Sequence, residues 1–146
     1  MLKGISPIIP PELLKILDEM GHGDRIVFAD SNYPVESCGK ESKVVRCDGH
    51  KMSKLLEGVL NLFPLDSFYE APVILMATPK EDNFEPPIWK TYASIVSKED
   101  ARGKNAIKAI DRFDFYEESK KAYAIVATGE MALYASVILQ KGIITE

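Results

Sequence analysis

Apolar residues recur along this chain in two alternating rhythms, one helical and one extended. Leu13, Ile16, Leu17 and Met20 fall on one face at helical spacing. Pro10 and Pro11 stand at the first turn of that helix, where a missing N–H costs nothing, and Gly21 predicts its end in a left-handed conformation. Ile26-Val27-Phe28-Ala29 is a short, nearly continuous apolar run, the pattern of a strand covered on both faces, and it ends at Asp30. Residues 31–41 are polar and hold Pro34 and Gly39, which predicts a loop; Val44-Val45-Arg46-Cys47 predicts a second strand. Ser53 predicts the cap of a helix carrying Leu55, Leu56, Val59, Leu60 and Phe63. Residues 73–77 form another buried-strand run, 82–87 a loop, and Pro87 stands near the start of a helix through Trp89, Tyr92 and Val96. Residues 106–110 read as a strand, 113–122 as a short helix, and 123–128 as a strong strand running into Gly129-Glu130. The stretch 133–139 is β-prone, with a helix as the alternative.

Strands alternating with helices predict the α/β class: a single three-layer α/β/α domain over residues 1–146 with a mixed, mostly buried sheet. A chain of 146 residues is long enough to bury a sizeable core. In open α/β sheets ligands bind beyond the C-terminal ends of the strands, and Asp30, Arg112 and Glu130 fall at such ends.

Composition narrows the function classes. Hydrophobic residues at 46% and charged residues at 27% match an ordinary globular protein. A net charge of −4 with no basic block argues against nucleic acid as a partner. No apolar run approaches the roughly 20 residues that span a bilayer, and residues 1–7 lack the apolar core of a signal peptide. Membrane association is therefore not expected, and the expected compartment is the cytoplasm. Cys38 and Cys47 do not have a zinc spacing, so they read as reduced thiols and no metal site is expected. No Walker loop, G-x-G-x-x-G or G-x-S-x-G occurs, which leaves out the standard nucleotide fingerprints and weakens a hydrolase reading.

The candidate chemistry centres on Gly21-His22-Gly23-Asp24. His22 is one of only two histidines, and a tight turn between glycines can hold an imidazole at the rim of a pocket. Asp24 either orients His22 or caps the turn; the turn role is favoured, because Asp commonly bonds its own backbone there. His50, the other histidine, reads as a surface residue, and Trp89 as core or subunit contact.

Several motifs occur in one order along the chain: Leu2-Lys3-Gly4-Ile5-Ser6-Pro7, Pro11-Glu12-Leu13-Leu14, Glu19-Met20-Gly21-His22-Gly23-Asp24, Phe28-Ala29-Asp30, Arg46-Cys47-Asp48-Gly49, Arg112-Phe113-Asp114-Phe115-Tyr116-Glu117, Ala124-Ile125-Val126 and Thr128-Gly129-Glu130. In this order, and on to Lys141-Gly142, the chain resembles the L-fucose mutarotase branch of the D-ribose pyranase/L-fucose mutarotase family. Each motif is weak alone; together they span nearly the whole chain.

The resemblance implies interconversion of the α and β anomers of a monosaccharide, L-fucose first, with no cofactor. Ring opening takes a proton off the anomeric hydroxyl and puts one on the ring oxygen; reclosure on the other face of the aldehyde reverses both transfers. Histidine suits both directions. The resemblance makes His22 the proton donor and Asp30 and Arg112 sugar-binding residues, the guanidinium fork bridging adjacent hydroxyls. Tyr116 is a candidate proton relay. Tyr134, Ala135 and Ser136 stand where the family presents Tyr-Gly-Asn to the ligand, a departure that touches sugar preference rather than reaction type. The resemblance also implies a ring-shaped homo-oligomer, decamer or octamer, with sites near subunit contacts. The alternatives are a D-ribose pyranase-type activity, a sugar-binding accessory protein without turnover, and a structural oligomer component.

Overall fold

The computed structural model describes residues 1–146. Its elements follow the two rhythms of the sequence: α1 Pro11–Glu19, β1 Arg25–Ala29, α2 Val35–Cys38, β2 Lys43–Cys47, α3 Met52–Leu60, β3 Val73–Met76, α4 Ile88–Glu99, β4 Ile107–Ile110, α5 Arg112–Lys120, β5 Ala124–Thr128 and β6 Val137–Gln140. The six strands form one sheet in the order β2-β5-β1-β6-β3-β4. β6 pairs antiparallel with both β1 and β3, whereas β1–β5, β2–β5 and β3–β4 are parallel. Five strands therefore point one way, and β6 runs against them through the middle.

Strand residues alternate between two apolar layers because successive side chains leave a strand on opposite faces. Ile26 and Phe28, Val73 and Leu75, Ala124 and Val126, and Val137 and Leu139 face the larger layer, covered by α1, α3 and α4. Val27 and Ala29, Ile74 and Met76, Ile125 and Ala127, and Ile138 face the smaller one, covered by α2 and α5. Both faces being covered, β1, β3, β5 and β6 read as continuous apolar runs instead of alternating ones. This is the mixed, buried three-layer α/β sheet that the pattern predicts. The longest helix, α4, has 12 residues, and no helix is long and apolar enough to cross a membrane.

Three local expectations are corrected, and one open alternative is settled in favour of the strand. Gly21 does not end α1 in a left-handed conformation. Met20 leaves the helix extended (φ −66°, ψ 138°), and Gly23, three residues on, takes the positive φ of +85° that glycine adopts without steric cost. Lys141 Nζ donates to the carbonyls of Leu17 and Met20, serving the orphan acceptors that a glycine cap would otherwise serve. Ser53 lies inside α3 and caps nothing; the N-cap is Lys51, without a side-chain cap bond. Glu130, from across the sheet edge, supplies the acceptor for Met52 N–H at 3.4 Å. Phe63 lies beyond α3 but is still buried in its layer. Residues 31–41 are not all loop, since α2 forms after Pro34 by burying Val35 and Cys38. The β-prone tail resolves as strand, because β6 fills the gap between β1 and β3.

Candidate active site

The C-terminal ends of the parallel strands and the start of β6 share one edge of the sheet, and the N-terminal ends and the finish of β6 share the other. His22 precedes β1 and Asp30 follows it. β1 has five residues, about 16 Å of strand at roughly 3.3 Å per residue. The expected proton donor and the expected sugar-binding carboxylate therefore lie at opposite edges of the sheet.

At the N-terminal edge the turn that carries His22 is tied on both sides. Asp24 Oδ2 accepts the N–H of Gly21 at 2.8 Å, the turn role favoured from the sequence. Gly23 N–H donates to Lys141 O and Lys141 N–H to Asp24 O, both at 2.8 Å. The imidazole projects from this turn with 47% of its side chain exposed, at 5.6 Å from the exposed ring of Phe68. Its Nε2 lies 3.2 Å from Oδ1 of Asp66. Asp66 is 3% exposed and also accepts from Gln140 Nε2 at 2.8 Å and from Phe68 N–H at 2.9 Å. Arg102 anchors this segment, donating to the carbonyls of Asp66 at 2.9 Å and Tyr69 at 2.8 Å.

Burial pushes the Asp66 carboxyl up, but the donors from Gln140, Phe68 and His22 outweigh it and hold it below its ordinary value of 3.8. An ionised carboxylate only accepts hydrogen bonds. In the neutral ring the proton therefore sits on Nε2, and Nδ1 is the nitrogen free to take up or deliver a proton. Asp66 was not legible as a site residue. It lies 44 residues from His22, in an irregular stretch with no motif around it, and only the fold brings the two together.

This carboxyl has a consequence for stability. Because its folded value lies below the ordinary one, its contribution is complete above pH 3.8 and is lost as pH falls through the lower folded value. Asp66→Asn is expected to be less stable than wild type at neutral pH and to show a flatter loss of stability in acid. Denaturant titrations over about pH 2–4 read this directly; equal slopes in both proteins would exclude the effect.

At the C-terminal edge, Asp30 is half-buried. Its Oδ1 accepts Asn32 N–H at 2.9 Å and its Oδ2 accepts the Ser136 hydroxyl at 2.6 Å. The two loops beside it are tied together, Ser31 N–H donating to Glu130 O at 2.8 Å and Thr128 Oγ1 to Ala29 O at 2.8 Å. Glu130, 7% exposed, accepts the N–H groups of Met131 and Ala132 at 3.0 Å each, so it organises the loop from within. Gly129 admits no side chain, since a Cβ would stand 2.2 Å from Asp48 O. His50, expected at the surface, is half-buried here and accepts Gly129 N–H on its carbonyl at 2.9 Å.

Arg112 is exposed at the start of α5, its guanidinium 5.0 Å from the centre of the Phe113 ring. Asp111 is occupied as the helix cap, its Oδ2 accepting Phe113 N–H at 3.0 Å. Arg112 and Tyr134 share a cavity of about 410 Å³ with Thr78, Lys80, Asp111 and Phe113. Asp30 opens into a separate hollow of about 260 Å³ that holds Arg46 and Asp48. Tyr116, one helical turn after Arg112, packs its ring 5.4 Å from Tyr33. Tyr134 is half-buried with φ of +55°. Ala135 and Ser136 are both fully buried. Trp89 Nε1 donates to Tyr134 O at 2.9 Å and Tyr92 to Ala135 O at 2.7 Å, so Trp89 serves as a brace for this stretch. Cys38 and Cys47 are free and buried, and burial raises the Cys47 thiol to about 11.

The fold thus gathers Asp30, Arg112, Tyr116 and Tyr134 toward the same end of the molecule and leaves His22 with Asp66 at the other. The chain belongs to the RbsD / FucU transport protein family, whose model matches residues 3–144. It is 48% identical to the fucose mutarotase of Mus musculus over 97% of this chain and 94% of the mouse protein. Among solved structures, FucU from Bifidobacterium longum superposes with a TM-score of 0.95 at 50% identity, covering 98% of this chain and 100% of that one. The fucose mutarotase of Streptococcus pneumoniae, solved in complex with L-fucose, superposes with a TM-score of 0.92 at 48% identity over 99% of this chain and 100% of that one.

Proposed function

We propose that this chain is an isomerase that interconverts the α and β anomers of L-fucose, without a metal or nucleotide, in the cytoplasm. The observation that carries the reading is the His22–Asp66 pair: a half-exposed imidazole with one nitrogen committed to a buried carboxylate and the other free for proton transfer. A protein that only binds sugar has no need of such a group. The fucose mutarotases of mouse and S. pneumoniae, and the L-fucose bound to the latter, support fucose as the substrate.

In this reading His22 Nδ1 exchanges a proton with the sugar, and Asp30 and Arg112 hold its hydroxyls. Tyr116 and Tyr134 stand at the sugar-binding end as further hydroxyl donors. Because one copy separates His22 from Asp30 by the length of β1, a sugar that meets both lies between two copies. A head-to-tail contact of this kind repeats around a closed ring, which accounts for a homo-oligomer as the working form. Residues 1–146 act as one unit within it.

Saturation-transfer NMR on L-fucose at anomeric equilibrium, before and after exhaustive chelation, tests the proposal. Exchange is expected well above the uncatalysed rate, unchanged by the chelator, and faster on L-fucose than on D-ribose. Exchange at the uncatalysed rate across a panel of sugars would end the mutarotase reading; faster exchange on ribose would move the chain to the other branch.

A further inference from the structure

We propose that Ser136 is a positioning residue: it fixes the carboxylate of Asp30 and so sets the affinity for the sugar without touching it. The proposal rests on the mutarotase reading above. Ser136 is 0% exposed, and its hydroxyl is used in both directions on one residue. It donates to Asp30 Oδ2 at 2.6 Å and accepts Asp30's own N–H at 3.0 Å. A serine hydroxyl has a single hydrogen, here committed to Asp30, and the oxygen, which accepts Asp30 N–H, has no exposed surface through which to meet a ligand. Asp30, in turn, is held at its backbone and at its carboxylate by the same oxygen, while Asn32 N–H takes the other carboxylate oxygen at 2.9 Å. The side chain is held from both carboxylate oxygens while it lines the hollow beyond β1.

The serine itself is braced from behind. Tyr92, 1% exposed, donates to Ala135 O at 2.7 Å, and Trp89 donates to Tyr134 O at 2.9 Å. Both come from α4, so a rigid helix determines where the 134–136 backbone lies. Tyr134 has a φ of +55°, a conformation that a non-glycine residue keeps only where its surroundings enforce it. The bend leaves the Tyr134 side chain lining the cavity it shares with Arg112 and tucks Ser136 under Asp30. Removing the hydroxyl releases a carboxylate that must be preorganised to bind a polyol.

The test is a double-mutant cycle read by saturation-transfer NMR on L-fucose. Ser136→Ala is expected to raise KM roughly tenfold with kcat changed less than about threefold, as for the loss of one hydrogen bond to a charged group. On an Asp30→Ala background the same change is expected to alter kcat/KM less than about twofold. Losses that multiply would overturn the proposal, because Ser136 would then act independently of Asp30. The amide proton and carboxyl ¹³C resonances of Asp30 in the ligand-free protein give a second readout that needs no turnover. Both are expected to move in Ser136→Ala, and a wild-type position for both would also overturn it. If the wild-type chain exchanges no sugar, the mutarotase reading fails and the Asp30 resonances still decide the coupling. Ser136→Cys, which fills the same space with a weaker donor, replaces the alanine variant if that one does not fold, with smaller shifts in the same direction.

Discussion

Replacing His22 with alanine is expected to slow L-fucose anomer exchange by roughly 10²-fold or more, the usual contribution of a positioned acid–base group. Folding should be little affected. The imidazole is half in solvent, and the turn beneath it is held by Asp24 and by the backbone of Lys141, not by the ring. His50→Ala, at the other edge of the sheet, is the matched control and is expected to exchange at the wild-type rate. If both variants exchange like wild type, His22 has no part in proton transfer. The separation of His22 from Asp30 adds a sharper expectation. His22→Ala copies, slow in exchange, and Asp30→Ala copies, weak in sugar binding, should when co-expressed exchange dilute L-fucose faster than either variant alone. Random mixing in a head-to-tail ring leaves about a quarter of the contacts with both residues intact. No recovery in verified mixed assemblies would place both residues of a working site in one copy.

The second large effect is expected on binding. Asp30→Ala and Arg112→Ala should each weaken L-fucose affinity by about 1–3 kcal/mol, the cost of removing one partner from a polar contact shielded from water. The two should differ in stability. Asp30 accepts bonds from Asn32 and Ser136, so its loss leaves donors unpaired within the fold. Arg112 is exposed and rests on Phe113, so its loss should leave stability within about 0.5 kcal/mol. Arg112→Lys keeps the charge and loses the planar fork; it is expected to bind nearer to the alanine variant than to wild type. Isothermal titration reads all three, and unchanged affinity in Asp30→Ala and Arg112→Ala would move the pocket elsewhere.

Much of this architecture could be read from apolar spacing, because a sheet covered on both faces leaves uninterrupted runs such as Ile26-Val27-Phe28-Ala29. The misreadings came where a distant group supplied what a local signal usually supplies. Lys141, not Gly21, serves the end of α1, and Glu130, not Ser53, meets the start of α3. The site divides in the same way. His22, Asp30 and Arg112 stand out by residue type and place in the chain. Asp66 and Gln140 matter through partners 44 and 74 residues distant, and no local pattern encodes such pairs. Ser136 was legible as a position, whereas its complete burial and its bond to Asp30 belong to the fold alone.

The placement of β6 bears on how the protein is made. The two parallel groups, β2-β5-β1 and β3-β4, have no strand pairing with each other; β6 alone joins them. It is also the last strand in sequence. During synthesis on a ribosome both groups must wait with an open edge until residues 137–140 emerge, and open edges are where chains stick to one another. The same short strand reaches both ends of the molecule: Ser136, just before it, touches Asp30, and Gln140, its final residue, touches Asp66. A slip of one residue in its register would turn its side chains to the opposite layers and misplace the groups beside Asp30 and beside the His22–Asp66 pair together. Catalytic competence therefore arrives in a single late step, with no half-active form for the cell to release.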